Sequence, residues 1–334
     1  MPYFNSLAQK YGLATQYYAN THPSIGNYFK LTTGQTITNN DSYSGTVSSN
    51  NIVRELITAG KTWKSYAESL PYTGYTGGDR SPYSKHHNPF AYFTDVVNSS
   101  TEKLNLVSFS QLKTDMAVGN LPDFSFIVPN MNNDAHNGSL STADSWLKNN
   151  IGPILSSSTF QKDGLMVIVF DESSSSDTSH GGGHVAMLVI GPNAKRSYKS
   201  TTFYQHQSTL KLILQSLGVS SYPGAASTAP SMREFFPSTT TSTTTTSSCS
   251  APSSYGIHVC SPTNGSSVSS PVAINATAKV SGTIYRFELW LGGTKLASTS
   301  STVMQTSVNV SSGTLTFVAR NTSGTRWTQS VTVQ

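Results

Sequence analysis

Apolar and polar positions are grouped along the chain in blocks that predict strands and helices. Residues 165–170 and 185–190 are continuous apolar runs rich in Val and Ile, separated by a polar loop of serines and glycines. Residues 124–128, FSFIV, are apolar except for Ser125 and are followed by Pro129. Short apolar runs of this kind are typical of strands covered on both faces. We therefore expect three buried strands in this part of the chain.

Amphipathic segments alternate with the apolar runs. Apolar side chains recur at helical spacing in residues 2–11, 51–60, 141–157 and 204–219. Ser141 or Thr142 is expected to cap the third of these helices. Alternation of strands and helices predicts a doubly wound α/β domain over residues 1–237.

The pattern changes after Pro237. Residues 238–248 are all Ser or Thr, and a segment without apolar residues cannot bury a core, so it is predicted to be a linker. Residues 249–334 show short alternating runs separated by Gly, Ser and Asn turns. About seven strands in this length predict an immunoglobulin-like β-sandwich. No charged cluster or histidine pair in this module indicates chemistry.

Composition narrows the range of partners. The 334 residues carry a net charge of +5 without a basic run, so no nucleic-acid partner is expected. No stretch is long and apolar enough to predict a transmembrane helix. Cys249 and Cys260 are predicted to form a local disulfide, which would indicate an oxidising compartment; two free thiols are the alternative.

Candidate metal ligands follow the apolar runs. Asp171 and Glu172 come directly after one predicted strand, and His184 precedes the next. Asp134 and His136 follow the strand that ends at Pro129. Carboxylates and imidazoles at the carboxyl ends of strands suit a divalent metal. Solvated acids and an Asx-turn loop are the structural alternatives.

Ser24 is a candidate nucleophile. It follows a Thr-His-Pro turn and opens an apolar helical segment, where free backbone N–H groups favour an anion. Residues 85–88, Lys-His-His-Asn, could contact a phosphate or a metal, or hold their loop by hydrogen bonds. Taken alone, Ser24 is better explained as a simple helix N-cap.

Four motifs in order resemble the bacterial phosphoesterase family, which contains acid phosphatases and non-specific phospholipases C within the alkaline phosphatase superfamily. They are THPSIGNYFKLTTG, KHHNPFAY, VPNMNNDAHNGS and VFDES followed by GGGHV. The resemblance implies an alkaline-phosphatase-like fold and a Ser24 that is phosphorylated and also contacts metal. It implies that Asn27 steadies the phosphoryl oxygens and that Asp171 and Glu172 bind metal.

The same resemblance assigns the remaining site residues. Asp134, His136 and His184 match ligands of a second metal position or phosphate contacts, and His136 or His184 could protonate the leaving group. His87 and Asn88 match a substrate-pocket segment. The implied cofactor is a divalent metal ion such as zinc, manganese, magnesium or calcium. The implied substrate is a phosphate ester, monoester or diester.

One family feature is missing from this sequence. Family members carry a strand ending in Glu-Asn, which supplies metal ligands, ahead of the segment that begins here at Pro2. Secreted members carry immunoglobulin-like modules, so a secreted or periplasmic location is expected, although no signal peptide is visible in this chain. A catalytically inactive binding protein is the alternative function. A carboxylic-ester hydrolase is disfavoured because Ser24 lies in no G-x-S-x-G motif.

Overall fold

The computed structural model describes residues 1–237, 249–268 and 270–334. These residues divide into two compact units, an α/β unit of residues 1–237 and an all-β unit of residues 249–334. The predicted linker, residues 238–248, lies outside the described residues. Within the part of the chain that is described, no helix combines the length and the apolar character needed to cross a bilayer.

The α/β unit contains nine helices and seven strands among its described residues. The helices are α1 Pro2–Lys10, α2 Ser24–Thr33, α3 Ile52–Thr58, α4 Thr94–Val97, α5 Ser110–Ala117, α6 Leu140–Asn150, α7 Gly152–Ser156, α8 Ser158–Asp163 and α9 His206–Ser216. The strands are β1 Gly12–Ala14, β2 Trp63–Ala67, β3 Leu106–Ser108, β4 Phe124–Val128, β5 Met166–Val169, β6 Met187–Ile190 and β7 Tyr198–Ser200.

The seven strands lie in two sheets. Strands β3, β2 and β4 form a parallel sheet with β2 in the middle. The second sheet has the order β5-β6-β1-β7 and is mixed, because β6 runs antiparallel to both β5 and β1. The predicted α/β class is confirmed, with the strands shared between two sheets.

Strand β6 is buried as predicted, whereas the prediction that β5 is covered on both faces is wrong. All four residues of β6 are fully buried, but every residue of β5 is only partly buried. The reason is position in the sheet: β5 is an edge strand with a single neighbour, β6. An apolar run alone does not distinguish an edge strand from a central one.

Helices pack on both sides of these sheets. One apolar cluster joins Phe4 of α1 and Trp146 of α6 to Tyr66 of β2 and Leu188 of β6, so a single helical layer covers one face of both sheets. A second cluster includes Ile25 and Phe29 of α2 together with Leu210 and Leu214 of α9. Helix α2, which begins at Ser24, is therefore anchored on the opposite side.

Helix ends follow local chemistry. Helix α6 is capped by Ser139, whose hydroxyl accepts from the Thr142 N–H, and not by Ser141 or Thr142 as predicted. Helix α2 ends at Gly34, which has a φ of 69°, a left-handed conformation that glycine adopts without strain.

The all-β unit is a two-sheet sandwich of seven described strands, as predicted. They are β8 Gly256–Ser261, β9 Val272–Lys279, β10 Ile284–Leu291, β11 Thr294–Thr299, β12 Val303–Val308, β13 Gly313–Asn321 and β14 Arg326–Val333. The sheets have the orders β11-β10-β13-β14 and β12-β9-β8. Phe287 and Phe317 are fully buried between them. The predicted disulfide between Cys249 and Cys260 is confirmed.

Candidate active site

Ser24 lies at the amino end of α2 with its hydroxyl committed to a carboxylate. Its side chain is 4% exposed, and Oγ donates to Glu172 Oε1 at 2.9 Å. Pro23 occupies the N-cap position and Ser24 makes no capping bond, so the simple N-cap interpretation does not apply. The N–H of Ile25 is bound by Asp41 Oδ1 at 3.1 Å. The serine hydroxyl is thus fixed by Glu172 and not by its own helix.

His22 completes a line of three hydrogen-bonded side chains. Its Nδ1 lies 2.6 Å from Glu172 Oε2, and its Nε2 lies 3.0 Å from the Asp177 carbonyl oxygen. A carbonyl oxygen only accepts, so Nε2 must carry a hydrogen. The proton between Nδ1 and Glu172 is therefore shared by the pair, which holds Glu172 against Ser24. The sequence placed His22 only in the turn before Ser24.

The surroundings raise the pKa of Glu172 and that of His22. Burial raises the pKa of Glu172, and the neighbouring charge of Asp171 raises it further. Burial alone would lower the pKa of His22, but its bonds to the Asp177 carbonyl and to Glu172 raise it overall. Glu172 Oε1 is the proton acceptor within hydrogen-bond distance of the serine hydroxyl.

Asp171 is placed just beyond its strand and is held through its backbone. Strand β5 ends at Val169, so Asp171 and Glu172 are free of the strand's alternation. The Asp171 carbonyl accepts from His206 Nε2 at 2.6 Å, and His206 Nδ1 lies 3.0 Å from the Tyr17 hydroxyl. Burial lowers the pKa of His206 to about 4, so the imidazole is neutral. Among the described residues, Asp171 Oδ2 is buried without a hydrogen-bond partner.

A second group of side chains lies one turn further along α2. The ring of Tyr28 stacks on that of His87 with 5.0 Å between ring centres. His87 Nδ1 lies 3.2 Å from Asp134 Oδ2, while its Nε2 is buried and has no partner within the described residues. Burial lowers the pKa of His87, but the bond to Asp134 and the charge of Asp171 raise it overall.

The two groups share one electrostatic environment. Burial raises the pKa of Tyr28, and the charges of Asp171, Asp134 and Glu172 raise it further. The fold therefore brings the Ser24, Asp171 and Glu172 predicted from the sequence close to the predicted His87 and Asp134. Tyr28 joins them and was not singled out from the sequence.

Two predicted residues have buried structural contacts instead. Asn27 is fully buried; its Oδ1 accepts from the N–H groups of Asn20 and Thr21 at 2.9 and 3.2 Å. Its Nδ2 donates to the Thr21 carbonyl at 2.7 Å. Asn88 is also fully buried and accepts from Ser65 Oγ at 2.9 Å. Asn27 thus holds the turn that leads into Ser24, and Asn88 anchors its loop to β2.

Two predicted histidines form their hydrogen bonds and ring contacts with residues other than Ser24 and Glu172. His184 Nε2 lies 3.0 Å from the Thr15 carbonyl, and its ring stacks on Tyr18 with 4.8 Å between centres. The ring centre of His136 is 5.9 Å from that of His87. In the described structure, no hydrogen bond joins either of them to Ser24 or Glu172.

The donors nearest Ser24 fit a divalent cation. Asp171 and Glu172 are adjacent carboxylates whose charges oppose each other, and Asp171 Oδ2 is buried without a partner. Asp171, Glu172 and Ser24 offer the oxygen atoms that would hold such a cation, whose charge would offset the repulsion between the two carboxylates. Across the described ranges, three or more candidate ligand atoms lie within 4.8 Å of one another only at Cys249, His258 and Cys260, whose cysteines are disulfide-bonded.

Sequence comparison places the chain in a family. A profile of the phosphoesterase family matches residues 1–220, more than half of the chain. The chain belongs to the phosphoesterase family. A profile of a bacterial immunoglobulin domain matches residues 256–333 of this phosphoesterase.

Named relatives include a probable acid phosphatase of Kluyveromyces lactis, 33% identical over 61% of this chain and 51% of the relative. A phosphatidylinositol-3-phosphatase of Mycobacterium tuberculosis is 28% identical over 70% of this chain and 75% of the relative. The phosphoesterase thus spans about half the length of the first of these relatives. A solved structure from Vibrio parahaemolyticus, a protein of the alkaline phosphatase superfamily, matches 70% of this chain and 65% of its own at 13% identity, with a TM-score of 0.46.

Proposed function

We propose that this phosphoesterase hydrolyses phosphoric esters with Ser24 as the nucleophile and a divalent cation as cofactor. The observation that carries the proposal is the hydrogen bond from Ser24 Oγ to the half-buried Glu172 carboxylate. A nucleophile bonded to a base that a third group orients is the arrangement that activates a hydroxyl. The phosphatase names of relatives in the same family support this choice of substrate class.

Ser24 and Glu172 perform the first step. Ser24 Oγ forms a bond to phosphorus while the phosphorus–oxygen bond to the alcohol breaks. The hydroxyl proton passes to Glu172 Oε1, which already accepts it in a hydrogen bond. His22 holds Glu172 in place through the bond at 2.6 Å. The product of this step is a phosphoserine, which water then hydrolyses to phosphate and free Ser24.

His87 is the best-placed group for the phosphoryl oxygens or the leaving alcohol. Its Nδ1 is bound to Asp134 and its pKa is raised, which favours the imidazolium form, in which Nε2 donates. Nε2 has no other partner among the described residues. This assignment transfers to His87 the donor role that sequence alone gave to His136 or His184. Asn27 acts indirectly, by fixing the turn before Ser24.

Asp171, Glu172 and Ser24 would hold the cation. A divalent cation there would neutralise phosphate charge and lower the pKa of the serine hydroxyl. Such cations commonly complete their coordination with water and substrate oxygens. Asp171 Oδ2 is buried and accepts no hydrogen bond from the described residues, and this supports the placement of the cation.

Export to an oxidising compartment is part of the proposal. The disulfide between Cys249 and Cys260 supports it, because disulfides persist outside reducing cytosol. The immunoglobulin-like module is of a kind found on secreted proteins.

Trapping the phosphoserine tests the proposal directly. The full chain is mixed with p-nitrophenyl phosphate and manganese, quenched in acid within one turnover, and digested for mass spectrometry. We expect a phosphorylated peptide that contains Ser24 in the wild-type protein and none in Ser24→Ala. Turnover of the substrate without any phosphorylated peptide would reject Ser24 as nucleophile. Absence of turnover with all four candidate metals would favour the inactive binding protein.

A further inference from the structure

Nearly all of the chain's excess positive charge lies in the immunoglobulin-like module. Residues 249–334 contain one acidic residue, Glu288, and five basic residues, which gives +4 against +5 for the whole chain. The basic residues are Lys279, Arg286, Lys295, Arg320 and Arg326. A small sandwich with a single carboxylate cannot neutralise these charges internally.

The three arginines form one row across adjacent strands. Arg286 of β10 is directly opposite Arg320 of β13, and Arg320 is directly opposite Arg326 of β14. Residues opposite each other share a face of the sheet, and neighbouring strands are about 4.8 Å apart. All three side chains are exposed. Like charges placed opposite each other destabilise a sheet unless something offsets them.

No carboxylate within the described residues offsets the row, and Arg286 has an aromatic neighbour, Tyr285, whose ring centre lies 5.5 Å from the guanidinium carbon. No carboxylate is within ion-pair distance of Arg286, Arg320 or Arg326 in the described structure. Glu288 is 6% exposed and is paired with Lys295 Nζ at 3.1 Å. Lys295 Nζ also lies 5.3 Å from the centre of the Trp290 ring. The module's one acid is therefore used to fix Lys295 beside Trp290.

The arginine row borders an open groove with an aromatic side chain. Trp290, Thr314, Thr316, Arg320 and Arg326 line a groove of about 420 Å³ on this sheet. Gly292 and Gly293 form one wall. There is free space beside both glycines, since a Cβ added at either position would have no atom within 4 Å. The groove is thus open at this wall and presents an indole, hydroxyls and guanidinium groups together.

We propose that this face binds an anionic polysaccharide with repeated carboxylate groups. Guanidinium groups bind carboxylates through paired hydrogen bonds, and a row of three suits a polymer that repeats its charge. Lys295 Nζ lies over the Trp290 ring, so the part of the indole that Lys295 leaves open offers an apolar surface for a sugar ring. The threonine hydroxyls can bond sugar hydroxyls. A neutral glycan would leave the arginine row without a counter-charge. This site is independent of the function proposed for Ser24.

The test measures binding of polygalacturonate to the full chain by calorimetry in physiological salt. We expect Arg320→Gln and Trp290→Ala each to weaken the dissociation constant about tenfold or more. The matched control is Lys279→Gln, which removes the same charge from β9 in the other sheet and should change the constant less than about twofold. Melting temperatures of all variants show that the module remains folded.

Three outcomes would overturn the proposal. One is failure of the wild-type chain to bind polygalacturonate even in low salt. Another is an equal loss in Lys279→Gln and Arg320→Gln, since that would mean attraction to net charge alone. The third is equal or tighter binding of duplex DNA, or of vesicles rich in phosphatidylglycerol, because the polymer would then not be a polysaccharide.

Discussion

In the α/β unit, Glu172 and Asp134 near Ser24 are partly buried and hydrogen-bonded to specific partners, whereas the immunoglobulin-like module leaves three arginines together on an exposed sheet face. Glu172 is bound by both Ser24 and His22, and Asp134 is bound by His87. Arg320, by contrast, lies between two other arginines. Burial and specific partners can shift the pKa of a group to a value that suits proton transfer. Exposed like charges attract a ligand or partner of opposite charge.

Both arrangements depend on contacts between residues far apart in sequence. Glu172 is 148 residues from Ser24 and 150 from His22. The arginine row draws on three separate strands. Under the two proposals above, the first unit performs the chemistry and the module provides attachment, and the experiments below test that division.

The largest expected effect is on catalysis by Ser24→Ala. Removing the hydroxyl removes the attacking atom, so kcat for p-nitrophenyl phosphate should fall roughly 10³-fold or more. Ser110→Ala is the matched control, because Ser110 also opens a helix, α5, but is exposed. Steady-state kinetics of both variants provides the measurement. Full activity in a folded Ser24→Ala protein would place the chemistry elsewhere.

A smaller loss is expected from His22→Ala. His22 touches Glu172 and not the substrate in this proposal, so it is a positioning residue, and its removal should lower kcat about 10- to 100-fold. His180→Asn is the control, because His180 is exposed and its positive φ of 53° is one that asparagine tolerates. His22→Gln should recover part of the rate if orientation of Glu172 is what matters. The positioning role would be contradicted if His22→Gln recovered none of the rate and if His180→Asn lowered kcat as much as His22→Ala.

Elements with a local signal could be predicted from the sequence, and those set by the tertiary fold could not. Strand β4 was predicted at its observed bounds, and Ser24 was placed correctly at a helix start. The Cys249–Cys260 pair was also predictable because it closes a short loop. Each of these depends on a few neighbouring residues.

The remaining features depend on what lies next to each element in space. The exposure of β5 follows from its edge position, which its apolar run does not encode. The hydrogen bond between His22 and Glu172 forms only because the fold brings these two distant residues together. The arginine row likewise forms only when β10, β13 and β14 pair in register, which is why no charged cluster is visible along the module's sequence.

Metal should stabilise the first unit through Asp171. Ligands assembled only on folding link binding to stability, so saturating metal should raise the melting temperature by about 5 °C or more. Asp171→Asn should remove most of this rise, whereas Asp163→Asn, at an exposed helix end, should keep it. Thermal melts with zinc, manganese, magnesium and calcium up to millimolar concentration provide the measurement. No shift with any of them would mean that this chain has no working metal site.

Acid should destabilise the phosphoesterase unit before the module. Burial opposes ionisation of Glu234, but hydrogen bonds from Ser200, Tyr204 and Tyr198 lower its pKa from 4.5 to about 2. A lowered pKa contributes stability above pH 4.5 that is lost as the pH falls towards 2. Glu234→Gln should reduce this acid-dependent loss. Melting curves between pH 6 and 2 should therefore show the first unit's transition falling, while the module, with one carboxylate, changes less.

The smallest expected effect on catalysis comes from cutting the chain between the two units. The tract of residues 238–248 contains only Ser and Thr, and the residues that contact Ser24 all come from the first unit. Limited proteolysis should cut within this tract first and leave kcat and KM for p-nitrophenyl phosphate unchanged.

The released first unit should, however, lose binding to polygalacturonate, because the arginine row is removed with the module. Full-length Arg320→Gln is the matched comparison, since it should lose polymer binding without cleavage and keep its activity. A fall in kcat on cleavage would show that the module helps to build the active site, and retained polymer binding by the first unit would place attachment outside the sandwich.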